Sequence, residues 1–121
     1  MTDGRHLLGA WGEAAAARFL EEKGFVILER NVRTRYGELD LVARDGDVLV
    51  FVEVRTKSHT VFGHPFETID RRKIHKLQGM ARWYLQARSL GSGVTCRFDA
   101  VAVVGTPETA CSIEHLRNVI S

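Results

Sequence analysis

Two carboxylates lie in neighbouring segments of the chain, GELDLV and FVEVRTK, where they could act together on a phosphate. Asp40 belongs to the first segment and Glu53 to the second, and Arg55 and Lys57 follow Glu53 at intervals of two residues. Carboxylate oxygens are ligands that Mg²⁺ prefers, and a cationic side chain beside them can hold a phosphate oxygen. These residue types indicate a site that could bring a divalent metal ion and a phosphodiester together.

The two segments are predicted to form an antiparallel hairpin. Residues 38–43 and 48–57 are both rich in Leu and Val. Asp45 and Gly46 stand between them, and this dipeptide strongly favours a two-residue hairpin turn. A turn at these two residues would fix which side chains face one another across the hairpin.

With this turn, Asp40 faces Phe51 and Glu38 faces Glu53, which makes Asp40 and Glu53 diagonal neighbours on one face. Diagonal Cβ atoms lie roughly 7 Å apart, and two carboxylates at that separation can share one cation. A turn one residue longer would place the two side chains on opposite faces. The prediction of a shared site therefore depends on the register of the hairpin.

Glu53 also interrupts an apolar strand. Residues 48–54 are otherwise all Val, Leu or Phe, which is the pattern of a central strand covered on both faces. Burying a charged carboxylate costs several kcal/mol unless it is paired, protonated or bound to a metal. A salt bridge to Arg55, two residues away on the same face, would satisfy Glu53 as a metal ion would. Both interpretations stay open.

The hairpin belongs to an alternating order of helices and strands. Helices are predicted over residues 5–23 and 70–89, the second capped by Asp70, and further strands over residues 25–32, 94–104 and 111–115. The order is αβββαβ with a short strand after it. It predicts a single α/β domain over residues 1–121, with a mixed central sheet flanked by helices.

Glu13 lies on the first predicted helix beside small residues. At about 100° per residue it falls next to Gly9, Ala16 and Ala17, whereas Arg18 falls on another side. Small neighbours let a helix approach a sheet closely, so Glu13 could point towards the hairpin. The alternative, which the sequence alone favours, is a partly exposed helical glutamate.

Positive charge is concentrated in the middle of the chain. Residues 30–88 contain twelve basic and seven acidic side chains, although the net charge of the whole chain is only +2. A basic surface around an acidic metal pair is what a nucleic acid substrate would require, although solvated helix faces look similar. The candidate phosphate-binding residues are Arg33, Arg35, Arg71, Arg72, Lys73 and Lys76.

Other features of the sequence argue against several classes of protein. No stretch approaches the roughly 18 apolar residues of a membrane-spanning helix, and no signal peptide is recognisable, so we expect a cytoplasmic protein without a membrane partner. Cys96 and Cys111 lack the spacing of zinc ligands and are expected to be free thiols. His59 and His64 lie in a predicted loop, residues 58–69, where histidines are usually exposed rather than functional.

Several motifs together resemble those of the YraN-like family of small bacterial proteins. They are GxxGE, with Gly9, Gly12 and Glu13, and then RTRYGELDLVARD, LVFVEVRTKS, FGHP and RFDAV, and they extend from Gly9 to about Val104. That family in turn resembles the PD-(D/E)XK nuclease superfamily, which includes archaeal Holliday junction resolvases and tRNA splicing endonucleases. The resemblance implies the restriction-endonuclease-like αβββαβ core.

The resemblance also implies roles for individual residues. Asp40 matches the motif Asp, Glu53 the acidic residue of the E-x-K element, and Glu13 the helical Glu of the resolvase branch. Arg55 takes the place of the motif Lys. Arg stays protonated and is a poor general base, although it can hold a phosphate oxygen. Lys57, further along the same face, could substitute for the missing Lys.

The favoured hypothesis is a Mg-dependent endonuclease or phosphodiesterase that acts on nucleic acid, DNA rather than RNA. Asp40 and Glu53 would bind Mg²⁺ or Mn²⁺, and Glu13, Arg55 and Lys57 would complete the catalytic site. Arg at position 55 favours instead a nucleic-acid-binding module on the same fold without cleavage. A structural or interaction domain with salt-bridged carboxylates is a third hypothesis. Cutting both strands of a symmetric substrate would favour a homodimer.

Overall fold

The computed structural model describes residues 4–58, 70–91, 93–109 and 111–120. Its elements, in chain order, are α1 (Gly4–Glu22), β1 (Val26–Thr34), β2 (Gly37–Asp45), β3 (Val48–Lys57), α2 (Arg71–Ala87), β4 (Cys96–Val104) and β5 (Ser112–Leu116). This order confirms the predicted α/β architecture, including the short last strand. The predicted loop with His59 and His64 lies outside the described residues.

The five strands form one mixed sheet in the order β1-β2-β3-β4-β5. The first three strands are a meander of antiparallel neighbours, whereas β3 and β4 are parallel and α2 lies between them in the chain. β5 then pairs antiparallel with β4. The central position of β3 confirms the interpretation of its apolar sequence.

The sheet separates two apolar layers, one under each helix. Leu20 of α1 packs in the same cluster as Val52 of β3, and Leu77 of α2 packs with Phe51 of β3. Even-numbered residues of β3 therefore face α1 and odd-numbered residues face α2, as strand alternation requires. Glu53 consequently lies on the α2 side of the sheet.

The β2–β3 turn lies one residue beyond the predicted position, which shifts the pairing of the two strands by two residues. Asp45 pairs with Val48, so Gly46 and Asp47 form the tip, and the predicted tip at Asp45 and Gly46 is wrong. Gly46 adopts a left-handed backbone conformation with φ of 61°. Such conformations favour Gly, and here Gly occupies the first turn position rather than the second. A shift of two residues preserves which face each side chain occupies.

The shift also corrects the predicted partners of the two strands. Phe51 pairs with Val42 and not with Asp40. The ladder between β2 and β3 runs only from Asp45 to Leu41, so the predicted facing of Glu38 and Glu53 is wrong as well. β2 continues beyond this point as a partner of β1 alone.

α1 approaches β3 most closely at Gly12. A Cβ atom built on Gly12 would lie 2.8 Å from Thr56 Cβ and 2.7 Å from Thr56 Cγ2, closer than real side chains come. Gly therefore allows a helix-to-sheet contact that any other residue would prevent. The next residue along α1 is Glu13, so this contact brings Glu13 against the sheet.

At the other end of the sheet, a buried carboxylate fastens β5 to β4. Asp99 accepts hydrogen bonds from Arg97 Nε at 2.9 Å and from the backbone N–H of Asn118 at 3.0 Å, and its Oδ2 lies 2.8 Å from His115 Nε2. Burial by itself would raise the pKa of Asp99, but the hydrogen bonds from His115, Arg97 and Asn118 outweigh it and lower the pKa to about 2. Arg97 also reaches Asp45 at 2.9 Å, which ties in β2.

Two simpler expectations can also be compared with the structure. Cys96 and Cys111 are free thiols, as predicted. Among the residues that the structure describes, no helix is long and apolar enough to cross a membrane.

Replacing Gly12 by Ala should lower the free energy of unfolding by about 1 to 3 kcal/mol, because the added methyl group overpacks the contact with Thr56. Urea unfolding followed by circular dichroism measures the change. The matched control is Gly9→Ala on the same helix, where a Cβ atom would meet nothing within 4 Å. Ala at that position should stabilise the protein by about 0.5 to 1 kcal/mol through helix propensity. Equal effects of the two substitutions would contradict the close approach at Gly12.

Candidate functional site

The site is built where β2 and β3 separate. The last paired residues of this ladder are Leu41 and Val52, and Asp40 is the next residue of β2. Asp40 Oδ2 accepts a hydrogen bond of 2.8 Å from the backbone N–H of Val54. The Asp40 side chain thus accepts a hydrogen bond from a backbone N–H group of β3 at a point where the backbone of β2 no longer pairs with β3.

The alternation of β2 changes at the same residue. Leu39 and Leu41 are two residues apart and would share one face of a regular strand. Leu39 instead packs in the apolar cluster of α2, whereas Leu41 packs in that of α1. Asp40 therefore lies at the boundary between the two layers, where side chains from either helix can reach it.

Three carboxylates converge at this boundary. Glu13 of α1 and Glu38 and Asp40 of β2 each offer an oxygen, and these oxygens all lie within 4.8 Å of one another. Glu38 is exposed, and the other two are partly buried. This acidic cluster could hold a metal ion. The sequence left two positions open for the Glu13 side chain, and the structure shows that it points towards β2.

Asn31 of β1 joins two members of the cluster. With its amide nitrogen turned towards the carboxylates, it donates to Glu13 Oε2 at 2.7 Å and to Glu38 Oε1 at 3.0 Å. Asn31 has a left-handed backbone, with φ of 53°, a conformation in which Asn is enriched among non-glycine residues. Sequence reasoning missed Asn31, because nothing in a strand-forming segment indicates a left-handed residue.

The surroundings of Asp40 disfavour its charged form. Its pKa is raised to about 7, chiefly because burial disfavours the charged form, and the nearby charges of Glu13 and Glu53 raise it further. The hydrogen bond from Val54 and the charge of Lys73 act in the opposite direction. At neutral pH the folded protein therefore holds Asp40 close to its midpoint of ionisation.

Glu53 lies beside the cluster and is 8% exposed. Its Oε1 receives Lys73 Nζ at 2.9 Å and Arg55 Nε at 3.1 Å. The salt bridge to Arg55, one of the two interpretations drawn from the sequence, is therefore present. Oε2 is buried and has no hydrogen-bond partner among the described residues, so half of the carboxylate remains available to a ligand.

The first turn of α2 places Lys73 at Glu53. Asp70 caps the helix as predicted, with its Oδ1 accepting a hydrogen bond of 3.0 Å from the backbone N–H of Lys73. The cap fixes the turn from which the Lys73 side chain reaches into the site. The sequence placed Lys73 in a surface cluster for phosphates, whereas it contacts the buried carboxylate directly.

A cavity of about 310 Å³ opens between β2, β3 and the start of α2. Its polar lining includes Glu38, Asp40, Glu53, Arg55 and Lys73, and Leu77 and Met80 of α2 form part of its apolar wall. Asp40 and Glu53, the predicted metal ligands, thus share one cavity. Carboxylates and cations that line the same cavity are suited to binding an anion together with a positive ion.

The remaining predicted site residues lie outside this cavity. Lys57 is not part of its lining, although it belongs to the same strand as Glu53 and Arg55. Arg33 is highly exposed, with its Nε 3.9 Å from Glu38 Oε2. The other predicted phosphate-binding residues are exposed as well: Arg35, Arg71, Arg72 and Lys76.

Sequence reasoning also missed Glu38 as a member of the cluster. Glu38 and Asp40 are two residues apart, a spacing that by itself predicts one shared face of the strand. The predicted pairing of Glu38 with Glu53 also placed Glu38 on the face of Asp40, so the sequence contained this signal.

Comparison with known proteins gives the chain a family. Residues 12–103, which include Glu13, Glu38, Asp40 and Glu53, match the family described as "Uncharacterised protein family UPF0102". The chain belongs to the UPF0102 family. The match confirms the YraN-like resemblance found in the motifs.

Similar proteins of the UPF0102 family match over almost their whole length. A UPF0102 protein of Beutenbergia cavernae is 49% identical over 93% of this chain and 94% of its own. One of Pelotomaculum thermopropionicum is 49% identical over 98% of both chains, and one of Moorella thermoacetica is 50% identical over 85% of both. The family match therefore includes α2, the part of α1 from residue 12 onwards and the whole acidic cluster.

The raised pKa of Asp40 predicts how stability depends on pH. Between pH 5 and 8 the folded protein binds more protons at Asp40 than the unfolded chain does, so the stability that protonation contributes is lost as the pH rises through 7. In EDTA, the free energy of unfolding of the wild type should therefore fall as the pH is raised from 5 to 8. Measured relative to that of Asp40→Asn, the fall should be about 2 kcal/mol. Urea titrations at several pH values measure the difference.

Asp47→Asn is the matched control for this series, since Asp47 is an exposed aspartate at the tip of the β2–β3 turn. Its removal should leave the dependence of stability on pH unchanged. The difference of this variant from wild type should therefore stay constant between pH 5 and 8. A constant difference for Asp40→Asn as well would show that the pKa of Asp40 is ordinary.

Proposed function

We propose that this UPF0102 protein is a Mg-dependent endonuclease or phosphodiesterase that acts on nucleic acid, DNA rather than RNA. The observation that carries the proposal is the convergence of Glu13, Glu38 and Asp40 within 4.8 Å. The αβββαβ order of the fold and the cations that line the adjoining cavity support it.

A divalent ion fits the residues of this cluster. Three carboxylates repel one another, and a cation between them would remove the repulsion that helps to raise the pKa of Asp40. All the donors are oxygens, the ligands that suit Mg²⁺ and Mn²⁺. Glu53 lines the adjoining cavity, and its Oε2, which has no hydrogen-bond partner among the described residues, is a further oxygen donor. We therefore extend the ligand set predicted from the sequence, Asp40 and Glu53, to include Glu13 and Glu38.

The bound ion would polarise the scissile phosphate and supply an activated water. The protein's own part is to hold the phosphate and offset its charge. Arg55 can hold a phosphate oxygen through its guanidinium group, since its Nε already donates to a carboxylate at 3.1 Å in this cavity.

Lys73 supplies the amine that the strand motif lacks. Arg55 occupies the motif position of Lys on β3, and Lys57 does not line the cavity. The ammonium group of Lys73 instead enters from α2 and lies 2.9 Å from Glu53. We assign to Lys73, together with Arg55, the stabilisation of negative charge that develops on the phosphate.

The exposed basic residues would bind the flanking backbone. Arg33 lies in β1 and Arg35 in the β1–β2 turn, and Arg71, Arg72 and Lys76 lie on α2. Phosphate contacts of this kind fix the orientation of a nucleic acid and carry no direct sequence information. Binding should accordingly weaken steeply with salt.

One observation favours a second function, a nucleic-acid-binding module that does not cleave. Glu53 Oε1 is already paired with both Arg55 and Lys73, so the acidic residue of the E-x-K element can be stable without a metal ion. Arg55 would then hold a phosphate without any chemistry following. Cleavage assays distinguish the two functions.

Wild-type protein with Mg²⁺ or Mn²⁺ should nick or cut at least one of single-stranded, nicked and branched DNA. Asp40→Ala should abolish cutting, and Lys73→Ala should slow it by about 10²- to 10³-fold, the usual effect of losing one charge-stabilising donor. Single-turnover cleavage of labelled substrates measures both. The control is Arg82→Ala, an exposed cation on the same helix that does not line the cavity.

Cleavage by Asp40→Ala at the wild-type rate would point to a contaminating nuclease. Binding of all substrates without cutting, with no cutting by Arg55→Lys either, would establish the non-cleaving module.

Calorimetric titration with Mn²⁺ tests the ligand set without any reaction. Glu13→Gln should weaken binding by at least about tenfold, because the ligand set loses a full negative charge. Glu21→Gln is the matched control, since Glu21 is an exposed glutamate of the same helix. Absence of Mn²⁺ binding to wild type would support a purely structural role for the carboxylates.

A further inference from the structure

The β1–β2 hairpin ends in a rigid two-residue tip, Arg35 and Tyr36. Thr34 pairs with Gly37 across the hairpin, so only these two residues form the loop. Thr34 Oγ1 accepts a hydrogen bond of 3.0 Å from the backbone N–H of Tyr36 and donates one of 2.7 Å to the carbonyl of Gly37. Gly37 has φ of 146°, a backbone conformation that residues other than Gly rarely adopt. The tip is therefore fixed before any ligand arrives.

The tip rests on α2. The Tyr36 ring packs over Gly79, where a Cβ atom built on the glycine would lie 3.4 Å from the ring. Gly37 is held against the same helix, since a Cβ atom built there would lie 2.8 Å from Lys76 Cε and 3.2 Å from Met80 Sδ. These contacts fix the position of the ring but leave Tyr36 50% exposed. A half-exposed aromatic ring that is fixed in position has an apolar surface on which a second planar group can stack.

Tyr36 lies close to the proposed catalytic cavity. Met80, which contacts the tip, also lines the cavity. Gly79 is six residues beyond Lys73 on α2, which corresponds to roughly 9 Å along the helix axis. Bases stacked along one strand are spaced by about 3.4 Å, so Tyr36 lies within reach of a base roughly two or three nucleotides from a phosphate at Lys73.

Cations flank the exposed ring. The guanidinium carbon of Arg35 lies 6.0 Å from the ring centroid of Tyr36, and Lys76 is exposed next to the tip. The Arg33 side chain is 91% exposed on the same hairpin. An aromatic platform between cations is the arrangement by which proteins bind single strands, since bases stack on the ring while the cations follow the backbone.

We propose that Tyr36 is a stacking platform for an unpaired nucleobase, and that the substrate is a nucleic acid with unpaired bases next to the cleaved phosphate. This inference rests on the proposed function. Bases inside a continuous duplex already stack on their neighbours, so they cannot cover the Tyr36 ring. A single strand, a flap or a branch point presents a free base. The platform thus selects the structure of the substrate rather than its sequence.

Binding of fluorescein-labelled oligonucleotides, measured by anisotropy in EDTA, tests the platform apart from catalysis. Tyr36→Ala should weaken binding to single-stranded DNA by about 5- to 100-fold and leave binding to blunt duplex of the same length unchanged. Tyr36→Phe should bind both like wild type, because the ring is kept. Arg35→Ala should weaken both ligands alike, because it removes a phosphate contact.

A strand with abasic sites identifies the interaction as stacking. If each nucleotide near the site lacks its base, Tyr36→Ala and wild type should bind it equally. Equal loss of single-strand and duplex binding in Tyr36→Ala, or no loss at all, would overturn the platform while leaving the nuclease proposal intact. If wild type binds neither ligand, either in EDTA or with Mn²⁺ present, the proposed function fails and the platform with it. If wild type binds but never cleaves, only the nuclease fails.

Tyr36 could instead serve only to anchor the hairpin on α2. In that case Tyr36→Ala lowers the free energy of unfolding without any selective loss of single-strand binding. Urea unfolding of the same variants provides this second measurement, and that result overturns the proposal.

Discussion

The hydrogen bond from the Val54 backbone to the Asp40 carboxylate allows β2 and β3 to separate inside the protein. A central strand cannot leave a buried N–H group unpaired without a substantial free-energy cost. Because Asp40 accepts that hydrogen bond with its side chain, β2 can turn away from β3 and remain paired with β1. The opening between the two strands becomes the cavity that Glu38 and Glu53 line. The cavity exists because a side-chain acceptor takes the place of a backbone acceptor at this point.

The protein treats its buried carboxylates in two different ways. Asp99 is surrounded by donors, and its charge helps to hold β4, β5 and the β2–β3 turn together. Asp40 has one backbone donor and two acidic neighbours that raise its pKa. A site that binds a cation needs unsatisfied negative charge, whereas a structural anchor needs its charge satisfied. The contrast between these two aspartates therefore separates the part of the sheet that stabilises the fold from the part that could bind a ligand.

Much of the fold could be predicted from the sequence, because local patterns determine it. Strand β3 was predicted with its observed bounds, since its apolar run and flanking turn residues are local signals. The cap at Asp70 followed from residue type alone. The register of the hairpin could not be fixed in this way, because Asp45-Gly46 and Gly46-Asp47 are both acceptable turn pairs and the choice depends on pairing along the whole strand.

The site was only partly predictable for a related reason. Asp40 and Glu53 interrupt apolar strands, which marks them in the sequence, and Glu13 stands out among small helical residues. Lys73 and Asn31 carry no such mark. Lys73 reaches Glu53 only because α2 packs across the sheet, and Asn31 reaches the cluster through a left-handed backbone. Both depend on tertiary geometry that no periodicity in the sequence encodes.

The close contact of α1 at Gly12 has a consequence for the order of folding. Strands β1 to β3 pair with sequence neighbours, so they need no long-range contact to form. Glu13 reaches Glu38 and Asp40 only when α1 docks, so its repulsion with these two carboxylates opposes that step alone. A proton or a cation at the cluster would then slow the detachment of α1 and leave the rate of hairpin formation unchanged. Hydrogen exchange of the α1 amides would register this as protection confined to one helix.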